Sequence, residues 1–291
     1  LVMQNGVSYI NHFHLAGIVP VAGPRLDFQM DWSDCLMPIA PDYTAIENAV
    51  TECLWAGCET IWIVCNDDVS PLIRYRIGDY GMDPVYFNRM NKYNFETKRR
   101  IPIFYIPIGT RDRGRRDCLA WSVVHGAARC FSVCARLSKF IAPRKYYVSF
   151  PHGVYEPSCV RPHRTSISSV RPFMLTHDGQ SVRNGAPLGF TFDADDWKVF
   201  RDVIKLRRED LIKKELLEIK NVATTFTLDM VFNNLCTESM EEAEVPWFHS
   251  IQSWDEYCTF LGSENRKNIC HPGKHVLKYR EYNPIGYEPD D

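Results

Sequence analysis

Two apolar runs with one amphipathic stretch between them constrain this chain more than any other feature. Ile18, Val19 and Val21 make the first run, and Glu59-Thr-Ile-Trp-Ile-Val-Cys65 the second. Both read as short buried strands, the second fully buried as in a parallel sheet. Between them Ile46, Ala49, Val50, Cys53 and Leu54 recur at helical spacing. Thr44 or Asp42 can cap that helix, Glu47 lies in its first turn, and Gly57 ends it. Strand, loop, helix, glycine, strand is a βαβ unit, with a right-handed crossover expected. Strands at about 18–22, 59–65, 101–106, 145–150 and 188–192 are expected in one sheet, with their C-terminal ends toward one crevice.

The loop after the first strand carries the first candidate site. Ala22, Gly23 and Pro24 end the strand, and glycine lets backbone approach a ligand closely. Arg25 follows, and its guanidinium can fork onto phosphate oxygens. The segment runs on through Asp34 to Leu36-Met-Pro-Ile39. Gly109-Thr-Arg-Asp-Arg-Gly-Arg-Arg-Asp117 sits where the strand near 101–106 ends and a helix from Cys118 to about Ser138 begins. Arginines such as Arg111 and Arg113 at a helix start suit a phosphate, against the plainer reading of a solvated basic loop.

Other polar groups have two readings each. Asn66, Asp67 and Asp68 end the second strand, where open α/β sheets bind ligands. They read better as the cap of a helix from Val69 to Gly78. Asp193 and Asp195 follow the run Leu188-Gly-Phe-Thr-Phe192. As a D-x-D pair they would hold Mg²⁺ or Mn²⁺ against a diphosphate. As helix-start acids they would cap the helix 196–220, whose stripe of Val199, Val203, Leu206 and Leu211 could pack inward or face a second subunit. His12 and His14 alternate around Phe13 and read as a solvated strand face rather than a metal pair. Phe173-Met-Leu-Thr followed by His177-Asp-Gly-Gln180 reads as a hairpin turn. The tail 266–291 reads as an extended strap.

Composition excludes several classes. The chain has 291 residues, 45% of them hydrophobic, enough for a large core in one domain or two small ones. Its formal charge is −2, so no overall basic field points to nucleic acid. No apolar run reaches the ~18 residues that span a membrane. No apolar signal segment follows the first residues, so secretion is not expected. The start at Leu1 suggests a processed or trimmed end. Eleven irregularly spaced cysteines, several in apolar runs, suggest free buried thiols rather than disulfides or zinc.

The frame Ala22-Gly-Pro-Arg-Leu26 followed by Asp34-Cys-Leu-Met-Pro-Ile39 resembles the signature loop of sugar-nucleotide pyrophosphorylases and related nucleotidyltransferases. In that family the loop reads roughly A-G-G-x-G-T-R-L, then K-P-L-L-P-I. The helix ending in Ala56-Gly57 before Ile61-Trp-Ile-Val-Cys65, and the late Trp247–Tyr257 segment, also resemble it. The match runs in patches from about Ile18 to Leu261, and nucleotidyltransferase-like proteins of marine phages are similar. Asp34 stands where the family has a phosphate-contacting lysine. The strand Lys145–Phe150 ends in Pro151-His152-Gly153, where the family often has a Gly-Asp step that binds Mg²⁺.

The resemblance implies a single α/β domain over 1–291 with a C-terminal tail. Its fold would be a three-layer α/β/α sandwich with a mainly parallel, Rossmann-like sheet of the nucleotide-diphospho-sugar transferase type. It implies that a nucleoside triphosphate joins a sugar phosphate, releasing pyrophosphate, in the cytoplasm, or in a host's cytoplasm if phage-encoded. Mg²⁺ or Mn²⁺ would assist. The catalytic candidates are Arg25, Asp34 and Asp117. The nucleotide-binding candidates are Ala22, Gly23, Pro24, Arg25, Gly109, Arg111 and Arg113, and the metal candidates Asp193 and Asp195. Two alternatives are a GT-A-type glycosyltransferase using the D-x-D pair, and a non-catalytic nucleotide-binding relative.

Overall fold

A computed structural model describes residues 14–23, 30, 32–85, 100–113, 118–138, 141–215, 226–235, 240–273 and 276–277, without the side chains of 110–111 and 208–215. In chain order the strands are β1 (Leu15–Pro20), β2 (Pro38–Ala40), β3 (Tyr43–Thr44), β4 (Thr60–Cys65), β5 (Tyr80–Met82) and β6 (Arg100–Pro107). Then come β7 (Lys145–Val148), β8 (Gly153–Val154), β9 (Phe173–Thr176), β10 (Phe190–Asp193), β11 (Glu241–Glu244) and β12 (His249–Ser250). The helices are α1 (Ala45–Ala56), α2 (Ser70–Ile77), α3 (Thr110–Arg113), α4 (Leu119–Leu137), α5 (Arg164–Ile167), α6 (Ala194–Glu215), α7 (Leu228–Phe232) and α8 (Trp254–Gly262).

Eight strands form one sheet in the order β11-β9-β10-β7-β1-β4-β6-β5. At its centre β7, β1, β4 and β6 run parallel. Side chains of β1 alternate between two cores. Leu15 and Val19 join the one under α1, while Ala16 and Ile18 join the one under α4 and α6. Every residue of β1 is buried, as a strand covered on both faces requires. The result is a three-layer α/β/α fold with a mainly parallel sheet.

Local chemistry sets the element ends. Glu47 accepts hydrogen bonds from the Thr44 backbone N–H at 2.8 Å and the Thr44 hydroxyl at 2.7 Å, fixing the start of α1. Gly57 takes φ 88°, the left-handed conformation that stops the helix before β4. Gly126 lets α4 lie close on the sheet: a Cβ there would meet Val64 Cγ2 at 2.6 Å. In the turn after β9, Asp178 and Gly179 take φ 47° and 73°, and His177 and Gln180 exchange both backbone hydrogen bonds.

Three expectations are corrected. The first strand is Leu15–Pro20 rather than 18–22. Proline has no N–H to continue the ladder, and the next two N–H groups, of Val21 and Ala22, both turn onto the Val64 carbonyl at 2.9 Å. The strand expected at 188–192 is in the sheet but runs antiparallel to β7, pairing Phe190 with Val148 and Asp193 with Lys145. Its end therefore points away from the crevice. Among the described side chains of α6, Phe200 and Ile204 are buried, whereas Val199 and Leu206 are exposed.

His12 lies outside the described residues. His14 is buried, with one ring nitrogen on Thr60 Oγ1 at 3.0 Å and the other on the Ile141 carbonyl. Among the described residues the cysteines are free, and Cys35, Cys53, Cys58, Cys65, Cys118, Cys130 and Cys134 are buried. No described helix is long and apolar enough to cross a membrane.

Candidate functional site

Strands that run parallel release their chains on the same side of the sheet. Here the segments leaving β1, β4 and β7 enclose a cleft of about 640 Å³. Val21, Ala22 and Gly23 come from β1, Asn66 and Asp68 from β4, and His152 from just beyond β7. One wall is the start of α4, with Cys118 and Leu119. The loop Trp32–Cys35 and the segment Phe226–Asp229 complete the sides.

The loop after β1 is pinned to α4. Ser122 in the first turn of α4 donates to the Ala22 carbonyl at 2.6 Å. A Cβ at Gly23 would stand 3.6 Å from the Leu119 backbone nitrogen, so this loop lies directly against the helix start. Cys118 caps that helix, its sulfur accepting from the Trp121 N–H at 3.4 Å. The positive end of a 19-residue helix therefore opens into the cleft. Such an end favours an anion.

The floor carries polar atoms without partners. His152 is buried, and neither ring nitrogen has a hydrogen-bond partner among the described residues. Burial pushes its pKa down to about 4, so the ring is neutral at pH 7. The side-chain oxygen of Asn66 is likewise buried and unpartnered. A buried polar atom left unpaired costs about 1–3 kcal/mol. Asp34, Asp68 and Asp229 also line the cleft, and Asp34 is mostly buried.

The structure divides the expected site residues. Ala22, Gly23 and Asp34 meet in the cleft. Pro24, Arg25 and Asp117 lie outside the described residues. Gly109 follows β6, two strands from β1 on the same side of the sheet, and is not part of the cleft lining. Arg111 lies in α3, but its side chain is outside the description. Arg113 is held outside the cleft, donating to Asp67 at 2.8 Å and to the Ile108 carbonyl at 3.3 Å.

The metal reading of Asp193 and Asp195 is corrected. Asp193 pairs with Lys145, which itself pairs with Leu15 at the start of β1, the far end of the sheet from the cleft. Asp193 Oδ1 accepts from the Asp195 and Asp196 N–H groups at 2.8 and 3.1 Å. Asp195 is exposed and pairs with Lys198. Asp193 caps α6, and neither acid is part of the cleft lining.

Asn66 and Asp68, expected at the start of α2, both line the cleft, and Asp68 Oδ1 also accepts from the Val69 N–H at 3.1 Å. The Asn66 backbone carbonyl, not its side chain, accepts from the Val69 and Ser70 N–H groups at 3.1 and 2.9 Å. Trp32, Phe226, Asp229 and Gln252 also line the cleft and carried no local signal. Trp32 and Gln252 fall inside segments that the resemblance singled out.

No family model matches this sequence, and no curated protein matches it. Solved structures do. A protein from Bacillus anthracis assigned as a glucose-1-phosphate thymidylyltransferase, solved in complex with sucrose, is 11% identical with a TM-score of 0.54. The match covers 90% of this chain and 98% of that one. A UDP-glucose pyrophosphorylase complexed with UDP-glucose is 11% identical with a TM-score of 0.50, covering 86% and 97%. An apo UDP-glucose pyrophosphorylase is 11% identical with a TM-score of 0.52, covering 88% and 100%. The chain thus has the fold of the sugar-nucleotide pyrophosphorylases.

Proposed function

We propose that this chain is a nucleotidyltransferase that binds a nucleoside triphosphate in the cleft and joins it to a sugar phosphate, releasing pyrophosphate. The observation that carries this reading is the meeting of the Ala22–Gly23 backbone with the N-terminal end of α4. Phosphate oxygens there would face backbone N–H groups and the positive helix end. The bond formed joins a sugar-phosphate oxygen to the α-phosphorus, and the bond broken frees the β- and γ-phosphates together. Positioning and charge neutralisation supply most of such catalysis.

Asp34 shapes the electrostatics. A carboxylate ~4 Å from a phosphate charge would oppose it by roughly 4 kcal/mol at an effective dielectric near 20. Mg²⁺ prefers hard oxygen ligands and is commonly held by one or two carboxylates plus substrate phosphate. Asp34 in the cleft fits that role, although no group of three ligating side chains is gathered among the described residues. Bound there, the ion would supply charge neutralisation. The glycosyltransferase alternative loses its metal motif, because Asp193 and Asp195 are at the other end of the sheet.

The test mixes the protein with UTP or dTTP, glucose 1-phosphate and Mg²⁺ and measures pyrophosphate. Release in Mg²⁺ but not in chelator is expected. Calorimetry should show Mg²⁺-dependent triphosphate binding, with a weaker dependence in Asp34→Asn. Tight binding in chelator, equal in both proteins, would remove Asp34 from the phosphate site. Binding without pyrophosphate release would leave a nucleotide-binding protein in place of an enzyme.

A further inference from the structure

The floor of the cleft contains a histidine that makes no use of its polar atoms. His152 is 4% exposed, and both ring nitrogens are buried without a partner among the described residues. A core position with no polar duty would be filled more stably by an apolar side chain. The ring nonetheless lines the cleft, together with the unpartnered Asn66 oxygen. The χ2 torsion of histidine is broad, so the ring orientation can adjust to a ligand.

The surroundings define what such a ring can meet. A neutral imidazole offers one donor and one acceptor. Asn66 adds an acceptor, and Asp34, Asp68 and Asp229 line the same cleft. Carboxylate oxygens attract hydroxyl and N–H donors. We propose that His152 is a specificity-determining residue that hydrogen-bonds an uncharged hydroxyl or base N–H of the ligand, with the Asn66 side-chain oxygen as a further acceptor in the same cleft. This rests on the cleft being a nucleotide site. Binding converts two unmade hydrogen bonds into made ones, so the polar floor discriminates against ligands lacking that group.

The experiment is calorimetry on wild type, His152→Phe and His152→Gln, with Mg²⁺ and four probes: inorganic pyrophosphate, UDP, UDP-glucose and glucose 1-phosphate. Far-UV circular dichroism checks folding, and His152→Leu replaces Phe if the larger ring disturbs packing. His152→Phe should lose at least about tenfold in affinity for a probe carrying the recognised group. His152→Gln, which keeps a donor and an acceptor, should recover most of that loss. Pyrophosphate, which has phosphates alone, should bind all three proteins equally. A loss shared by UDP assigns the group to base or ribose, and a loss confined to glucose-bearing probes assigns it to the hexose. Unchanged affinity in folded His152→Phe, or equal losses in Phe and Gln, would overturn the role of His152 while leaving the nucleotide reading intact. A wild type that binds none of the four would overturn both.

Discussion

Glu52 is an acidic side chain in a buried setting. It sits on α1 with no exposed surface, inside the core between helix and sheet. Tyr147 donates to one carboxyl oxygen and Ser149 to the other, the latter at 2.5 Å. Burial outweighs those hydrogen bonds and pushes its pKa up to about 7. A folded value above the unfolded one gives stability that is complete below about 4.5 and is lost as pH rises through about 7. The full swing corresponds to roughly 3 kcal/mol. Glu52→Gln should therefore lose less stability than wild type between pH 5 and 8. Urea denaturation at several pH values measures this, and parallel curves for the two proteins would mean that Glu52 is already ionised in the folded state at pH 5.

At the scale of elements, β10 and α6 show how direction decides function. Asp193 and Asp195 have the spacing of a metal pair, yet β10 runs against β7 and carries them to the bottom of the sheet. Asp193 then satisfies two N–H groups at the start of α6. Asp193→Ala should lower stability by about 1 kcal/mol through loss of that cap. It should leave Mg²⁺-dependent nucleotide binding unchanged. Denaturation and calorimetry on the same variant check both, and lost metal dependence with intact stability would restore the metal reading. Of the stripe expected on α6, Val199 and Leu206 are exposed. Phe200 and Ile204, four apart, are buried, because the contact with α4 and α7 fixes the helix rotation and a charged helix leaves several faces open.

Across the whole molecule, the cleft gathers segments from Val21 to Gln252. A ligand there contacts loops from β1, β4 and β7 at once, so its binding energy acts on the sheet as one body. We expect one cooperative thermal unfolding transition that moves upward as a unit with UTP and Mg²⁺. Saturation at a hundred times Kd contributes about 2.7 kcal/mol. Differential scanning calorimetry reads this directly. Two transitions of which one shifts would place the site on part of the chain and divide the single domain expected over 1–291.

The sequence by itself determined what local periodicity and turn chemistry control. The apolar runs placed β4, β6 and β7, the helical spacing placed α1, and Gly57 marked its end. Asp178-Gly179 marked the hairpin turn, and the order of elements pointed to a βαβ unit, while the three-layer fold was implied by the resemblance. These signals lie within a few residues of one another, so they are legible without partners. Tertiary structure alone decided the rest. Strand direction depends on a partner far along the chain, so the reversal of β10 left no trace in its own residues. The isolation of His152 depends on everything packed around it: a histidine after a strand reads alike whether its nitrogens meet water, metal or nothing. Trp32, Phe226, Asp229 and Gln252 joined the cleft because chain crossings over the parallel ends brought them there, and such proximity is a property of the folded whole.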